Sequence, residues 1–168
     1  MALAIQATLS ALFDIVATVG DPGVGANALA NITYNGFDVS QLKLNGGSSP
    51  VVTKMAIENI VLGSGTATID LTALLGVNGA AVNATGSKMY GYLLQAPSGN
   101  GALITVTVGG SNGYNFEGSG GQVQLQPGET RMAIKTGNSA AVGSGAKIMT
   151  LTGTGSTDNL NVIFLFGP

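Results

Sequence analysis

The sequence predicts an all-β fold, an antiparallel sandwich or barrel, on three observations. Short runs alternate polar and apolar residues, as at 66–71, 104–108 and 122–126, which is the period of a strand with one buried face. Five Asn-Gly pairs lie among such runs, and both residue types accept the positive φ of tight turns. Many short strands with turn signals between them favour a sandwich over βαβ units. We therefore expect one domain over residues 1–168, with residues 1–20 as an N-terminal strand or arm.

The N-terminal segment Met1–Val19 is apolar and contains several residues that favour strands. No Lys or Arg precedes Lys43, and Asp14 interrupts the apolar run, so the basic region of a secretory signal is missing. We expect an arm that pairs with a neighbour's sheet edge, or a strand that closes its own subunit's sandwich. The residues of this segment expected at a partner contact are Leu3, Ile5 and Leu9.

Two features of the middle of the chain depart from plain alternation. Leu71–Leu75 predicts one helical turn, capped by Asp70 or Thr72. The glycine-rich loop Gly109–Gly121 contains Tyr114 and Phe116. Large aromatic residues in such a loop either plug the end of the sandwich or anchor an interface.

The C-terminal third predicts a turn and two strands. Pro127-Gly128 indicates a type II turn. In the strand that follows, Met132 and Ile134 form the apolar face and are expected on the core. The last strand, 161–166, is apolar on both faces, which predicts a central strand or one whose outer face meets a partner. Val162, Phe164 and Phe166 lie on one face of this strand, and Ile163 and Leu165 lie on the other. One set should fill the core, and the other needs cover.

Composition excludes several classes of function. Histidine and cysteine are absent, which removes Ser-His-Asp triads, thiol chemistry and the usual zinc sites. The net charge is −2, without the basic cluster that phosphate binding requires. Only 8% of residues are charged and mean hydropathy is +0.38, yet no apolar stretch is long enough to span a bilayer. We expect the surplus apolar surface at subunit interfaces.

Three alternative sites are weaker. The carboxylates include no pair flanked by aromatic sugar platforms, so a glycosidase is disfavoured. Asn112, Asn115 and Glu117 offer oxygens but lack the dense Asp spacing of a calcium loop. A carbohydrate-binding module or adhesin tip would use exposed aromatic platforms, with Tyr90, Tyr92 and Tyr114 as the candidates.

The C-terminal part of the chain also carries a family resemblance. It rests on four segments: residues 69–95 (IDLTALLGVNGAAVNATGSKMYGYLLQ), 101–113 (GALITVTVGGSNG), 125–135 (LQPGETRMAIK) and 146–168 (AKIMTLTGTGSTDNLNVIFLFGP). A strand ending in Gly-Gly, an aromatic loop, a Pro-Gly turn and a terminal strand follow one another in this order. The order resembles small virion structural proteins of tailed bacteriophages, of the capsid decoration or cement type.

The resemblance implies a β-sandwich of jelly-roll type and supplies no catalytic residue. We expect a non-enzymatic virion protein without cofactor or metal, most simply a decoration protein on the outer capsid surface. Its partners would be copies of itself, as a trimer, and the major capsid protein, with no nucleic acid or membrane. It would be made in the host cytoplasm. The alternatives are a tail or receptor-binding component and the glycan-binding module. Besides the three N-terminal residues, the expected partner contacts are Tyr114, Phe116, Ile163 and Leu165.

Overall fold

A computed structural model describes residues 51–76, 79–118, 120–135 and 139–168, together with four short N-terminal strands, at 6–9, 17–20, 29–32 and 42–45. Its strands are β1 (Gln6–Leu9), β2 (Ala17–Gly20), β3 (Leu29–Ile32), β4 (Leu42–Asn45), β5 (Lys54–Val61), β6 (Thr66–Asp70), β7 (Leu74–Leu75), β8 (Ala81–Val82), β9 (Lys88–Gln95), β10 (Ile104–Val108), β11 (Gln122–Leu125), β12 (Thr130–Ile134), β13 (Ile148–Thr152) and β14 (Asn159–Gly167). These residues contain no helix. The predicted all-β class is confirmed.

Eight strands form two four-stranded antiparallel sheets. Sheet I has the order β12-β9-β14-β5, and sheet II has the order β11-β10-β13-β6. The pairs are nested along the chain: β5 with β14, β6 with β13, β9 with β12, and β10 with β11. Pairing of β14 with β9 and of β10 with β13 then completes the sheets. The chain is thus an antiparallel ribbon wrapped so that most consecutive strands alternate between the two sheets.

The strands of the N-terminal part pair with one another, β1 with β4 and β2 with β3. The expected strand within Met1–Val19 is therefore present at Gln6–Leu9 and Ala17–Gly20. Neither pair adds a strand to sheet I or sheet II.

The core lies between the sheets and is built by the alternation that the sequence predicted. Val162, Phe164 and Phe166 of β14 are fully buried in it, as expected. On β12 the prediction is wrong, because Ala133 and not Met132 packs against the core. The register explains this: Ala133 pairs with the buried Tyr92, so both side chains point inward.

Two predicted turns had different outcomes. At Pro127-Gly128 the turn is confirmed, since Gly128 has φ +89° and the Glu129 N–H donates to the Gln126 carbonyl at 2.9 Å. It carries the chain from sheet II to sheet I. The helical turn at Leu71–Leu75 is wrong, because Leu74–Leu75 is strand β7, paired with β8.

Asp70 is responsible for the turn that replaces the helix. Its Oδ1 accepts hydrogen bonds from the backbone N–H and the hydroxyl of Thr72, at 2.9 and 2.6 Å. The Ala73 N–H donates to the Asp70 carbonyl at 2.9 Å. A side chain that bonds the backbone two residues ahead favours a turn over a continuing helix.

The start of β14 is fixed by two buried polar side chains. Asn100 donates to the Asn159 carbonyl at 2.8 Å and accepts from the Asn159 N–H at 3.0 Å. Asp158 accepts from the N–H groups of Gly101 at 2.7 Å and Gly155 at 3.1 Å. Because a Cβ on Gly155 would lie 2.5 Å from an Asp158 oxygen, glycine is needed there. These contacts hold the connection between β9 and β10 against the start of β14.

Candidate assembly surface

The outer face of sheet I carries two adjacent rows of apolar residues, which we call the apolar stripe. Residues paired side by side on neighbouring strands point to the same face. In order across the four strands, the first row is Met132, Leu93, Ile163 and Ile57. The second row, in the same order, is Ile134, Gly91, Leu165 and Met55. The stripe therefore crosses the full width of the sheet.

Exposure varies along the stripe. Ile57, on the edge strand β5, is 37% exposed, whereas Leu165 on the central strand β14 is 1% exposed. A Cβ on Gly91 would lie 3.4 Å from Leu165 Cδ1, so the glycine leaves room for the leucine beside it. The other stripe side chains are partly exposed. Leu165 thus forms the floor of the stripe, and its neighbours form a surface above the sheet.

A row of amide side chains borders the stripe on one side. It consists of Gln95, Asn161 and Asn59, with Thr130 completing the row at the β12 edge. Asn161 Nδ2 donates to Gln95 Oε1 at 3.1 Å, and Asn59 Nδ2 donates to Asn161 Oδ1 at 2.7 Å. Asn59 Nδ2 is also 2.8 Å from Asn159 Oδ1. Hydrogen bonds between these amides therefore fix their side chains along the border of the stripe.

Neither the stripe nor the amide row contains an Asp, Glu, Lys or Arg. The charged residues of these four strands lie elsewhere. Arg131 and Glu58 lie between the outward-facing residues of β12 and β5, at positions that belong to the other face of the sheet. Lys54 Nζ donates to the Asn83 carbonyl at 2.7 Å. Lys88 pairs with Gly167 beyond the β-bulge that follows Leu165. The outer face is uncharged from the bulge to the start of β14.

The outer face of sheet II has the opposite character. Two rows cross it, the first made of Gln124, Thr105, Thr152 and Thr66, the second of Gln122, Thr107, Thr150 and Thr68. Asp70 lies beyond them, with its Oδ2 2.8 Å from Lys147 Nζ. Burial alone would raise the pKa of Asp70, but the hydrogen bonds from Lys147 and Thr72 outweigh it and hold the pKa below its usual value. Hydroxyl and amide side chains can hydrogen-bond to water, so this face needs no cover.

The predicted contact residues of the terminal strand fall on the stripe. Ile163 is partly exposed in the first row of the stripe, and Leu165 is buried in the second row. Of the N-terminal candidates, Leu3 and Ile5 lie outside the described residues. Leu9 is the last residue of β1 and pairs with Leu42.

The two aromatic residues of the glycine-rich loop are buried in the core, so they offer no exposed surface for a partner. Tyr114 is fully buried, and its hydroxyl donates to the Ala140 carbonyl at 2.9 Å and accepts from the Met89 N–H at 3.2 Å. Burial raises the pKa of Tyr114, an effect that the Met89 N–H partly offsets. Phe116 packs edge-on against Tyr92, with ring centroids 5.7 Å apart. The loop therefore plugs the space between the sheets, the first of the two roles weighed from the sequence.

The tyrosines proposed as sugar platforms do not form an exposed row. Tyr90, Tyr92 and Tyr114 are all buried. The Tyr92 hydroxyl donates to Glu117, and burial together with this bond raises the pKa of Tyr92. Tyr90 donates to the Pro168 carbonyl. A glycan-binding face would have to be built from other residues.

The described carboxylates accept structural hydrogen bonds. Glu58 accepts from the Leu75 N–H, and Glu129 accepts from the Gln126 N–H at 2.7 Å. Glu117 lies 3.9 Å from Lys135 Nζ as well as bonding Tyr92. Within the described ranges no group of three or more Asp and Glu could hold a metal ion. These contacts explain the carboxylates as parts of the fold.

Comparison with known proteins gives no family assignment: the sequence matches no protein-family model and no curated protein. In the part of the chain that the structure describes, no helix is long and apolar enough to cross a membrane.

Most of the stripe was missed from the sequence. Met132 and Ile134 were recognised as one face of a strand but assigned to the core. Met55 and Ile57 flank the apolar Ala56, and Leu93 lies between Tyr92 and Leu94, so alternation alone does not say which face is inside. The absence of charge at alternate positions of four strands was the available signal, and it becomes readable only once the strands are paired.

Proposed function

We propose that this protein is a non-enzymatic structural protein of a bacteriophage virion, a capsid decoration protein that stabilises the shell through subunit contacts. The observation that carries the proposal is the uncharged apolar stripe on a sandwich whose other outer face is polar. Contiguous apolar surface on a water-soluble sandwich is typical of an interaction site. A decoration protein has such sites because neighbours on the shell cover it.

The order of the strands supports the same proposal. A nested antiparallel ribbon wrapped into two four-stranded sheets is the arrangement of a jelly roll, an architecture used in viral capsids and lectins. We assign the sandwich to this type as part of the proposal. The resemblance of residues 69–168 to small phage virion proteins points the same way.

The mechanism would be mechanical. A protein that binds the assembled shell and not its free subunits stabilises the shell by mass action. Apolar contact at subunit interfaces supplies the affinity, and no cofactor or reactive group takes part. The partners are copies of this chain, expected as a trimer, and the major capsid protein on the outer surface of the particle.

Binding to empty expanded capsids of the phage that encodes the chain tests this proposal. Purified protein should co-sediment with the capsids up to a saturating, capsid-like copy number and should raise their melting temperature. Isolated capsid subunits should not bind it. Absence of binding to shells, or immunogold labelling of tails alone, would contradict the decoration role. Glycan-array binding without virion association would point to the carbohydrate-binding alternative.

A further inference from the structure

We infer that the apolar stripe on sheet I is the surface through which copies of this chain associate, with stripe packed against stripe. The inference rests on the proposed function, because it names the partner of the same surface. It leaves the outer face of sheet II toward solvent.

The chemistry of the stripe excludes charged partners. Ile57, Ile163 and Leu93 form an uninterrupted apolar row in which no residue could pair with a partner's charge. A Lys or Glu buried against this row would lose its water without gaining a counter-ion, which is costly. The occupant must therefore be apolar and uncharged over the same area.

A second copy supplies a surface of that kind. Its own stripe is apolar over the same two rows, and its amide row can meet an amide row, because each amide both donates and accepts. By contrast, the outer face of sheet II would place Thr107, Thr150 and Gln122 against the apolar row, leaving hydroxyls and amides without hydrogen-bond partners. Contact between equivalent surfaces is isologous and closes a two-fold dimer, so this inference predicts a dimer where the family resemblance implies a trimer.

The size of the stripe sets the strength of the contact. Four strands about 4.8 Å apart give the stripe and its amide row together a face of about 400 Å². A standard interface buries about 800 Å² per partner. The stripe is therefore the centre of an interface and not all of it. We expect association in solution that is reversible and depends on concentration.

The test compares the same added charge on the two outer faces. Ile57→Lys places a charge in the stripe at an exposed position of the edge strand β5. Gln124→Lys, at an exposed outward position of the edge strand β11, is the matched control. Sedimentation velocity of the full chain is measured across a range of concentrations, with the melting temperature of each variant.

The expected result is that the wild type and Gln124→Lys associate alike, whereas Ile57→Lys weakens association by about tenfold or more. A wild type that is monomeric at every concentration would overturn the inference, and so would equal effects of the two variants. A lower melting temperature for Ile57→Lys with unchanged association would also overturn it, since the stripe would then be covered within its own chain.

A second measurement does not depend on how well Ile57→Lys folds. The chain has no cysteine, so Ile163→Cys and, as control, Thr150→Cys each introduce a single thiol on a central strand. A short bismaleimide should cross-link the first and not the second, and equal cross-linking would contradict the inference. Shell binding is scored separately. A chain that associates through the stripe but ignores shells rejects only the proposed function, and one that binds shells as a monomer rejects only this inference.

Discussion

The two outer faces of the sandwich are built on equivalent backbones and differ almost completely in side chains. Both belong to four-stranded antiparallel sheets whose inner residues fill one core. On sheet II, three strands repeat a Thr-x-Thr pattern, at 66–68, 105–107 and 150–152. On sheet I the corresponding positions hold Ile, Leu and Met. Alternation therefore identifies the two faces of a strand, while the residue types on the outward face indicate whether that face stays in water.

The same contrast appears in the charges. An ion pair between Lys147 and Asp70 accompanies the polar outer face. The apolar outer face is bordered by neutral amides that bond to one another. Neutral amides cost less to desolvate than ions. A neutral, partly exposed face is therefore suited to a contact in which a neighbour removes it from water.

The largest expected effect comes from truncating the floor of the stripe. Leu165→Ala should lower the free energy of unfolding by about 2–5 kcal/mol, as for other buried leucines. Thr150→Ala, also on a central strand but on the polar outer face, should change it by only about 0.5 kcal/mol. Urea denaturation of both variants, followed by circular dichroism, measures the difference. Equal losses would mean that the two outer faces are energetically alike.

A smaller effect concerns the ion pair of the polar face. Because the pKa of Asp70 is held below its usual value, its charge stabilises the fold at neutral pH. That contribution is lost as the pH falls through the lowered pKa, below about 4. Asp70→Asn should therefore cost under about 1 kcal/mol at neutral pH, as for partly exposed ion pairs. The cost should vanish in acid.

Chemical denaturation of wild type and Asp70→Asn from neutral pH to pH about 3 checks this expectation. If the difference between the two proteins grew as the pH fell, the assigned direction of the pKa shift would be wrong.

The sequence predicted the local elements better than their surroundings. The terminal strand and the turn at Pro127-Gly128 follow from alternation and from positive φ, which are properties of neighbouring residues. The helical turn at Leu71–Leu75 failed because one side chain, Asp70, bonds the backbone ahead of it. The assignment of Met132 to the core failed because the inner face of β12 is set by the pairing of Ala133 with Tyr92, 41 positions earlier in the chain.

The candidate surface shows the same limit. Ile163 and Leu165 were recognised because their strand is apolar on both faces, so one face had to be covered by something. The remaining stripe residues come from three other strands and form a surface only through cross-strand register. For Tyr114 the sequence left two interpretations open, a plug at the end of the sandwich or an interface anchor, and the structure buries its side chain in the core.

The central claim, that another copy covers the stripe, can be tested on the unmodified chain through its methionines. Met55 and Met132 lie on the stripe and are partly exposed, whereas Met89 and Met149 are fully buried in the core. Exposed methionine is oxidised to the sulfoxide more readily than buried methionine. Limited oxidation with hydrogen peroxide, read by peptide mass spectrometry across a range of protein concentrations, compares the two pairs. We predict that Met55 and Met132 react quickly in dilute protein and become several-fold protected as concentration rises, while Met89 and Met149 stay protected throughout. Oxidation of Met55 and Met132 at a rate independent of concentration would contradict the account.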